Sequence, residues 1–277
     1  MSETARFLGT LFIALALASA AQAHTIITRM SDRQNVSMAQ MVSAAGTSDL
    51  VLLGEVHDNK DHHDLQLDVI RTLVQRELPV AIGLEMLPAG RQRQLDEWTT
   101  GRMSEAMMQG VFEESWSDWN LYRGIFIFAR DNRIPMVALD VPVEIVRKVS
   151  QHGFKSLSPQ ERKDLPAGAS CDLSNPQISL LRKSFTQHHQ EKVFNYFCEA
   201  QTVRNSGMAV NMVHYLKQHP GRRITVLTGV WHAVKYAIPD QLTRVGSKLS
   251  YTVILPETPE LSSGNSGLAE ADYLFDM

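Results

Sequence analysis

Short apolar runs recur along the chain at Leu50–Leu53, Val80–Leu84, Met136–Leu139, Ile224–Thr228 and Tyr251–Leu255, with a last short one at Tyr273–Phe275. Between them, apolar residues return every three or four positions. The clearest case is Asp61–Arg76, where Leu67, Ile70 and Val74 line one stripe and Leu65, Val69 and Leu73 lie beside it. An unbroken apolar run bounded by turn residues reads as a buried strand, and a period near 3.6 reads as a helix packed on it. Alternation of the two predicts an α/β fold with a mainly parallel central sheet flanked by helices. Further helices are expected at Gly90–Trp98, Ser104–Gln109, Asn120–Asn132 and Val143–Gln151, the last opening just after Pro142. The segment His152–Asn175, rich in Ser, Pro, Lys and Asp, reads as an inserted loop with a short helix. A long helical region from Ile178 to about Lys217 follows, with a break expected near Asn205-Ser206-Gly207. The whole reads as one domain over residues 24–277 with a helical insertion around 152–217, and Ser262–Gly267 as a surface loop.

The first two dozen residues follow another pattern. Arg6 precedes an apolar stretch from Phe7 to Leu17, and Ala21-Gln22-Ala23 follows. That is the pattern of a secretory signal (residues 1–23) with an Ala-x-Ala cleavage site, and the apolar run is too short to span a bilayer as a helix. Cleavage after Ala23 is expected to leave a mature chain starting at His24. The residue immediately after that site is His24 and not a cysteine, so the expectation is an exported, soluble, periplasmic protein without a lipid anchor. Export changes the reading of Cys171 and Cys198, which in an oxidising compartment are expected to form a disulfide. The 277 residues are 44% hydrophobic and 21% charged, an ordinary globular balance. A net charge of −3 with no basic stripe argues against nucleic acid as a partner.

The candidate chemistry lies where the strands end. Gly54-Glu55-Val56-His57 follows one apolar run, Gly229-Val230-Trp231-His232 follows another, and a third ends at Glu85. Open parallel sheets bind ligands beyond the carboxyl ends of their strands. The glycines are expected to let the backbone turn sharply there. Two imidazoles and a carboxylate suit a divalent transition metal ion with positions left for water. Such an ion turns its water into a nucleophile, and a second carboxylate serves as general base. Spacing does not assign the two glutamates. His57, Glu85 and His232 are favoured as metal ligands and Glu55 as catalytic base if the chain is a hydrolase. Taken singly, each of the four reads equally well as a hydrogen-bonded group capping the next helix.

Other residues are read more plainly. His62 and His63 open a helix and are expected on a solvated face, and His188, His189, His214 and His219 on the surface. Met103, Met107 and Met108 have helical spacing and read as core or cleft wall. A tyrosinate can hold ferric haem iron. Tyr122 and Tyr236 are the candidates, although each alone reads as a half-buried tyrosine with a satisfied hydroxyl. Arg123 and Lys235 beside them are placed to pair with propionates.

Leu53-Gly54-Glu55-Val56-His57-Asp58-Asn59, followed by Gly83-Leu84-Glu85-Met86, resembles the ChaN-like haem-binding uptake family. The resemblance continues through Trp119-x-x-Tyr122, Pro135 and the strand after it, then Leu227–His232 and Ile238-Pro239. It covers most of the chain apart from roughly His152 to Phe197. That family shares paired Gly-x-x-His motifs and an acidic residue with the Tiki proteases and erythromycin esterases. The resemblance implies an exported protein of haem or iron acquisition, with haem bound by His57, Tyr122, His232 and Tyr236. It also implies an outer-membrane haem or iron transporter as a partner, and a homodimer. The Tiki-like alternative is a metal-dependent peptidase or esterase. One departure is local: the family's acidic residue ahead of a Met-Ala pair has no counterpart in Arg204-Asn205-Ser206-Gly207-Met208-Ala209.

Overall fold

In a computed structural model, the unbroken apolar runs are strands covered on both faces, and alternate residues divide between two cores. Residues 25–162, 165, 169–184 and 191–277 are described; residues 1–23, where a secretory signal was expected, and His188 and His189 lie outside them. The chain opens with β1 (Ile26–Arg29), β2 (Gln34–Val36), α1 (Met38–Ala45), β3 (Leu50–Glu55) and α2 (Lys60–Gln75). Next come β4 (Val80–Pro88), α3 (Gln92–Thr99), α4 (Glu105–Glu113), α5 (Trp119–Asp131), β5 (Met136–Asp140) and α6 (Val143–His152). It closes with α7 (Pro176–Ser184), α8 (Glu191–Gln218), β6 (Arg223–Gly229), α9 (Val230–Ala233), α10 (Ile238–Arg244), β7 (Tyr251–Pro256) and β8 (Tyr273–Asp276).

Among the described residues the strands form one sheet in the order β2-β1-β8-β7-β3-β6-β4-β5. The run from β8 to β5 is parallel, and β1 joins β8 antiparallel. Side chains alternate across a strand. Val51, Leu53, Ile82, Leu84, Leu227 and Ile254 therefore pack on one side, with α1 to α5. Leu50, Leu52, Ala81, Ile224, Val226, Val253 and Leu255 pack on the other, with α8 and α10. That double burial is why these strands read as continuous apolar runs rather than as alternation.

The short antiparallel β1 and β2 carry no such run, and they were not expected. Nor does the late helix break. α8 continues through Asn205-Ser206-Gly207 because these residues have tertiary partners. Ser206 donates to Gln241 at 2.7 Å and Asn205 accepts from His232, while Gly207 lets the helix press on the residue just past β5, where a Cβ would come within 2.1 Å of Val141 Cγ1. Cys171 and Cys198 are bonded, which ties the segment before α7 to α8.

Candidate functional site

β3, β6, β4 and β5 are neighbours in the sheet, so residues ending them share one rim. Glu55 pairs with Gly229 in register, and Leu84 with Leu227. The two Gly-x-x-His motifs interlock through their glycines. A Cβ on Gly54 would lie 2.6 Å from Leu255 Cδ2 and 3.3 Å from Val230 Cα, so the bare backbone admits the second motif. A Cβ on Gly229 would lie 2.8 Å from His57 Cε1 and 3.0 Å from its Nε2, so this glycine admits the first. Gly229 has φ −58°, an ordinary value. The chain does turn there, from β6 into α9, but at a φ that any residue adopts, so what requires the glycine is close approach.

Successive strand residues face opposite sides, and the motifs build two polar centres from this alternation. On the α2 and α5 side, Glu55 is buried. Its Oε1 accepts from the Tyr122 hydroxyl and lies 2.9 Å from His57 Nδ1. Its Oε2 accepts from Gln66 at 2.7 Å, with His63 Nδ1 at 3.4 Å. The His57 side chain is 47% exposed, and the Trp116 ring meets it edge-on with centroids 4.9 Å apart. Burial lowers the affinity of His57 for a proton, but the bond to Glu55 and the charge of Glu85 outweigh it and raise its pKa above the usual 6.5. An Nδ1–H donated to Glu55 fixes the tautomer and leaves the Nε2 lone pair on the cleft side, as in iron- and zinc-ligating histidines backed by a carboxylate.

On the α8 side stands Glu85. The β4–β5 register shifts between Leu84 and Pro88, and an irregularity of this kind re-aims a side chain. Glu85 Oε2 accepts from Thr228 Oγ1 at 2.5 Å and from Gly229 N at 2.7 Å. Its Oε1 accepts from Arg204 Nη2 at 2.8 Å. Arg204 also reaches Asp140 Oδ2, through Nη2 at 2.6 Å and Nε at 3.0 Å, and its Nη1 lies 3.2 Å from His232 Nε2. His232 Nδ1 donates to Asn205 Oδ1 at 2.5 Å. Burial alone would raise the Glu85 carboxyl, but the His232 ring, the Arg204 guanidinium and the Thr228 hydroxyl hold it well below the usual range. Burial pushes His232 down to about 4, with Arg204 and His57 acting in the same direction. At neutral pH the centre therefore holds an ionised carboxylate, a guanidinium and a neutral imidazole.

Glu55, His57, Glu85 and His232 thus come together at one rim. Tyr122 joins them differently from expectation. It is fully buried, and burial together with Glu55 raises its hydroxyl pKa, so it donates to a carboxylate rather than offering an oxygen to iron. Tyr236 does not reach the cluster; its hydroxyl donates to Glu270 at 2.5 Å and is pushed up to about 12 by burial and that acceptor. Arg123 and Lys235 are taken by Glu105 and Asp272. His62 and His63 are buried rather than solvated, because their helical face points at the sheet. His62 Nδ1 accepts from Val56 N at 3.0 Å, and His63 Nε2 lies 3.0 Å from the His57 carbonyl. His214 and His219 are exposed as expected; Met103 and Met108 are core, while Met107 is 60% exposed.

The expected three-ligand metal centre does not fit these residues. The Arg204 guanidinium donates to Glu85 Oε1 and lies 3.2 Å from His232 Nε2, and those two acceptor atoms face each other directly at 3.5 Å. Among the described residues, no group of three His, Cys, Asp or Glu side chains is disposed to hold an ion. Asp140 was not singled out from sequence, and Arg204 and Asn205 were named only as the stretch where the family's acidic residue has no counterpart. Asp140 is the residue after the expected strand Met136–Leu139, Arg204 adjoins the expected helix break and Asn205 opens it.

A hollow of about 470 Å³ opens beside His57, lined by Asp58, Glu113, Glu114, Trp116 and Asp118. Its acidic wall repels carboxylates, and the exposed Val56 adjoins His57 along the chain.

A family model described as haem-binding uptake, Tiki superfamily, ChaN matches residues 41–242. A solved structure of ChaN from Campylobacter jejuni with cofacial haem has a TM-score of 0.72 at 16% identity, covering 91% of this chain and 96% of that one. The chloroplastic protein RETICULATA-RELATED 5 of Arabidopsis thaliana is 26% identical over 245 residues. That match takes in 80% of this chain, which spans about a third (33%) of the plant protein.

Proposed function

The chain belongs to the haem-binding uptake family of ChaN within the Tiki superfamily, and on that premise we propose that it binds haem at the carboxyl ends of β3, β4 and β6. The His57 imidazole faces the iron in this reading. One observation carries it: of the two motif histidines, His57 is half exposed with Nδ1 engaged by Glu55, whereas His232 is 5% exposed with Nε2 against Arg204. Haem is cargo here. Its propionates point away from Glu113, Glu114 and Asp118, since like charges repel. The N-terminal pattern and the Cys171–Cys198 bond support export to an oxidising compartment. A homodimer and transfer to an outer-membrane transporter belong to the same reading, and size-exclusion with and without hemin tests the first. Titrating the purified protein with hemin is expected to give a shifted Soret band that saturates at a simple stoichiometry. Free-hemin spectra throughout remove the proposal.

A second reading, hydrolysis of an ester or peptide, is favoured by the Glu55–His57 pair. With Arg204 bonded to Glu85, His57 rather than a metal-bound hydroxide would activate water and Glu55 would orient it. It requires turnover that a chelator leaves intact and His57→Ala abolishes. Silence across a panel of esters and peptides ends it.

A further inference from the structure

We infer that a second site lies beside the two motifs and takes an amino-acid-sized organic cation: a guanidinium or ammonium group on an apolar stem that also carries a carbonyl oxygen. A hollow of about 340 Å³ opens beyond the carboxyl ends of β3, β7 and β8, a size near the lower end for small-ligand pockets. It shares no lining residue with the hollow beside His57. The residue before each motif histidine stands in its wall. Val56 is 38% exposed and Trp231 is half-buried, and Phe275 lies with them. Each motif thus gives its histidine to one of the polar centres and the preceding apolar residue to this hollow.

Three carboxylates, Glu257, Glu260 and Asp276, line the same hollow, and no lysine or arginine does. Glu257 Oε1 accepts from Ser263 N at 2.9 Å and Glu260 Oε2 from Thr258 Oγ1 at 3.2 Å. Among the described residues none of the three has a cationic partner. An acidic lining alone does not specify a ligand; His62 does. It is 6% exposed, and its ring lines the hollow edge-on to Phe275, with centroids 5.4 Å apart. Its Nδ1 accepts from Val56 N, so a neutral ring carries its proton on Nε2, and that N–H has no acceptor among the described residues. Burial, with His63 beside it, lowers the affinity of the ring for a further proton and keeps it neutral. A buried donor left without an acceptor costs free energy, and a ligand carbonyl oxygen in the hollow satisfies it. The carboxylates then hold the cation through charge-assisted hydrogen bonds. Tryptophan is the aromatic side chain best suited to a neighbouring cation, and Val56 and Phe275 cover the apolar stem.

This inference does not rest on haem binding, and hemin is left out of its test. The purified protein is titrated by calorimetry with N-acetyl-arginine amide and with its citrulline counterpart, which keeps the shape and the carbonyls but not the charge. The arginine probe should saturate at one equivalent and bind at least roughly tenfold more tightly than the citrulline probe. Glu257→Gln/Glu260→Gln should weaken it by a similar factor, and wild-type affinity should fall as salt is raised, because partly exposed charges are screened. Heteronuclear NMR of the wild type needs no variant to fold: the His62 Nε2 resonance should shift along the same saturation curve. A short glycine-flanked arginine peptide separates the two sources of such a cation. Tighter binding than the single residue assigns the site to a basic peptide segment, and equal or weaker binding assigns it to a small molecule. No saturable binding of either probe up to about 10 mM overturns the inference. So do citrulline bound as tightly as arginine, an affinity unmoved in a folded Glu257→Gln/Glu260→Gln, and a His62 resonance that stays still at saturation.

Discussion

Tyr122→Phe separates a tyrosine that holds a carboxylate from one that holds iron. The change deletes one oxygen from a fully buried ring and leaves the ring in place, so the cavity term is small. The lost interactions are the hydrogen bond to Glu55 and a 3.3 Å bond from Trp116 Nε1. A hydrogen bond to a charged acceptor contributes about 1.5–3 kcal/mol. Gln66 and His57 continue to hold Glu55, which places the expected loss in the lower half of that range. For a chain of this size, each kcal/mol moves the melting point by roughly 2–4 °C, so Tyr122→Phe should melt roughly 3–9 °C lower. The hemin-loaded variant should keep the absorption spectrum of the loaded wild type. Unchanged thermal stability together with a changed ligand-to-metal band would refute this, because it would mean that the oxygen belongs to iron and not to Glu55.

Three further outcomes follow from the same contacts. Gly229→Ala should fold but lose hemin affinity, since the new methyl falls 2.8 Å from His57 Cε1 and pushes the ring off the Glu85 side of the cleft; unaltered affinity would mean that His57 is not the ligand. Lowering the pH should destabilise the protein between about 6.5 and about 4 through His232, which stays neutral when folded while its unfolded form takes a proton. That slope is at most about 1.4 kcal/mol per pH unit. His57 acts with the opposite sign, because its raised value gives stability that is full below 6.5 and fades as pH rises through the folded value. Chemical denaturation of His232→Gln across this range should show a shallower decline than wild type, and an identical decline counts against the assignment. Reduction of Cys171–Cys198, 27 residues apart, should cost about 3.5 kcal/mol in the chain-entropy model. Melting curves with and without reductant read this directly, and coincident curves would show that the bond does not constrain the unfolded chain.

The β and α alternation was legible because β3 to β7 are buried on both faces, so their apolar runs are unbroken. β1 and β2 pair at the edge with mixed residues and carry no such signal. The motif residues were legible because they follow strands that the sheet makes neighbours. Their partners were not. Gln66 and His63 lie on a helix whose pattern does not reveal which polar residue turns inward. Arg204 and Asn205 come from α8, whose helical pattern does not announce which of its residues faces the strand ends, and no spacing rule links a helix residue to Glu85 at a separation of 119 positions. The same blindness produced the metal expectation. Ligand types could be counted from sequence, but not that Glu85 is bonded to Arg204 and faces His232 directly.

The most direct measurement is hemin titration of His57→Ala beside wild type, followed by absorption and paramagnetic resonance, with His232→Ala as the matched control. Loss of the saturable Soret shift in His57→Ala, while His232→Ala retains the wild-type iron spectrum, is the expected result. A His57→Ala protein that binds hemin with wild-type affinity and an unchanged iron spectrum would contradict the placement of haem against the first Gly-x-x-His motif.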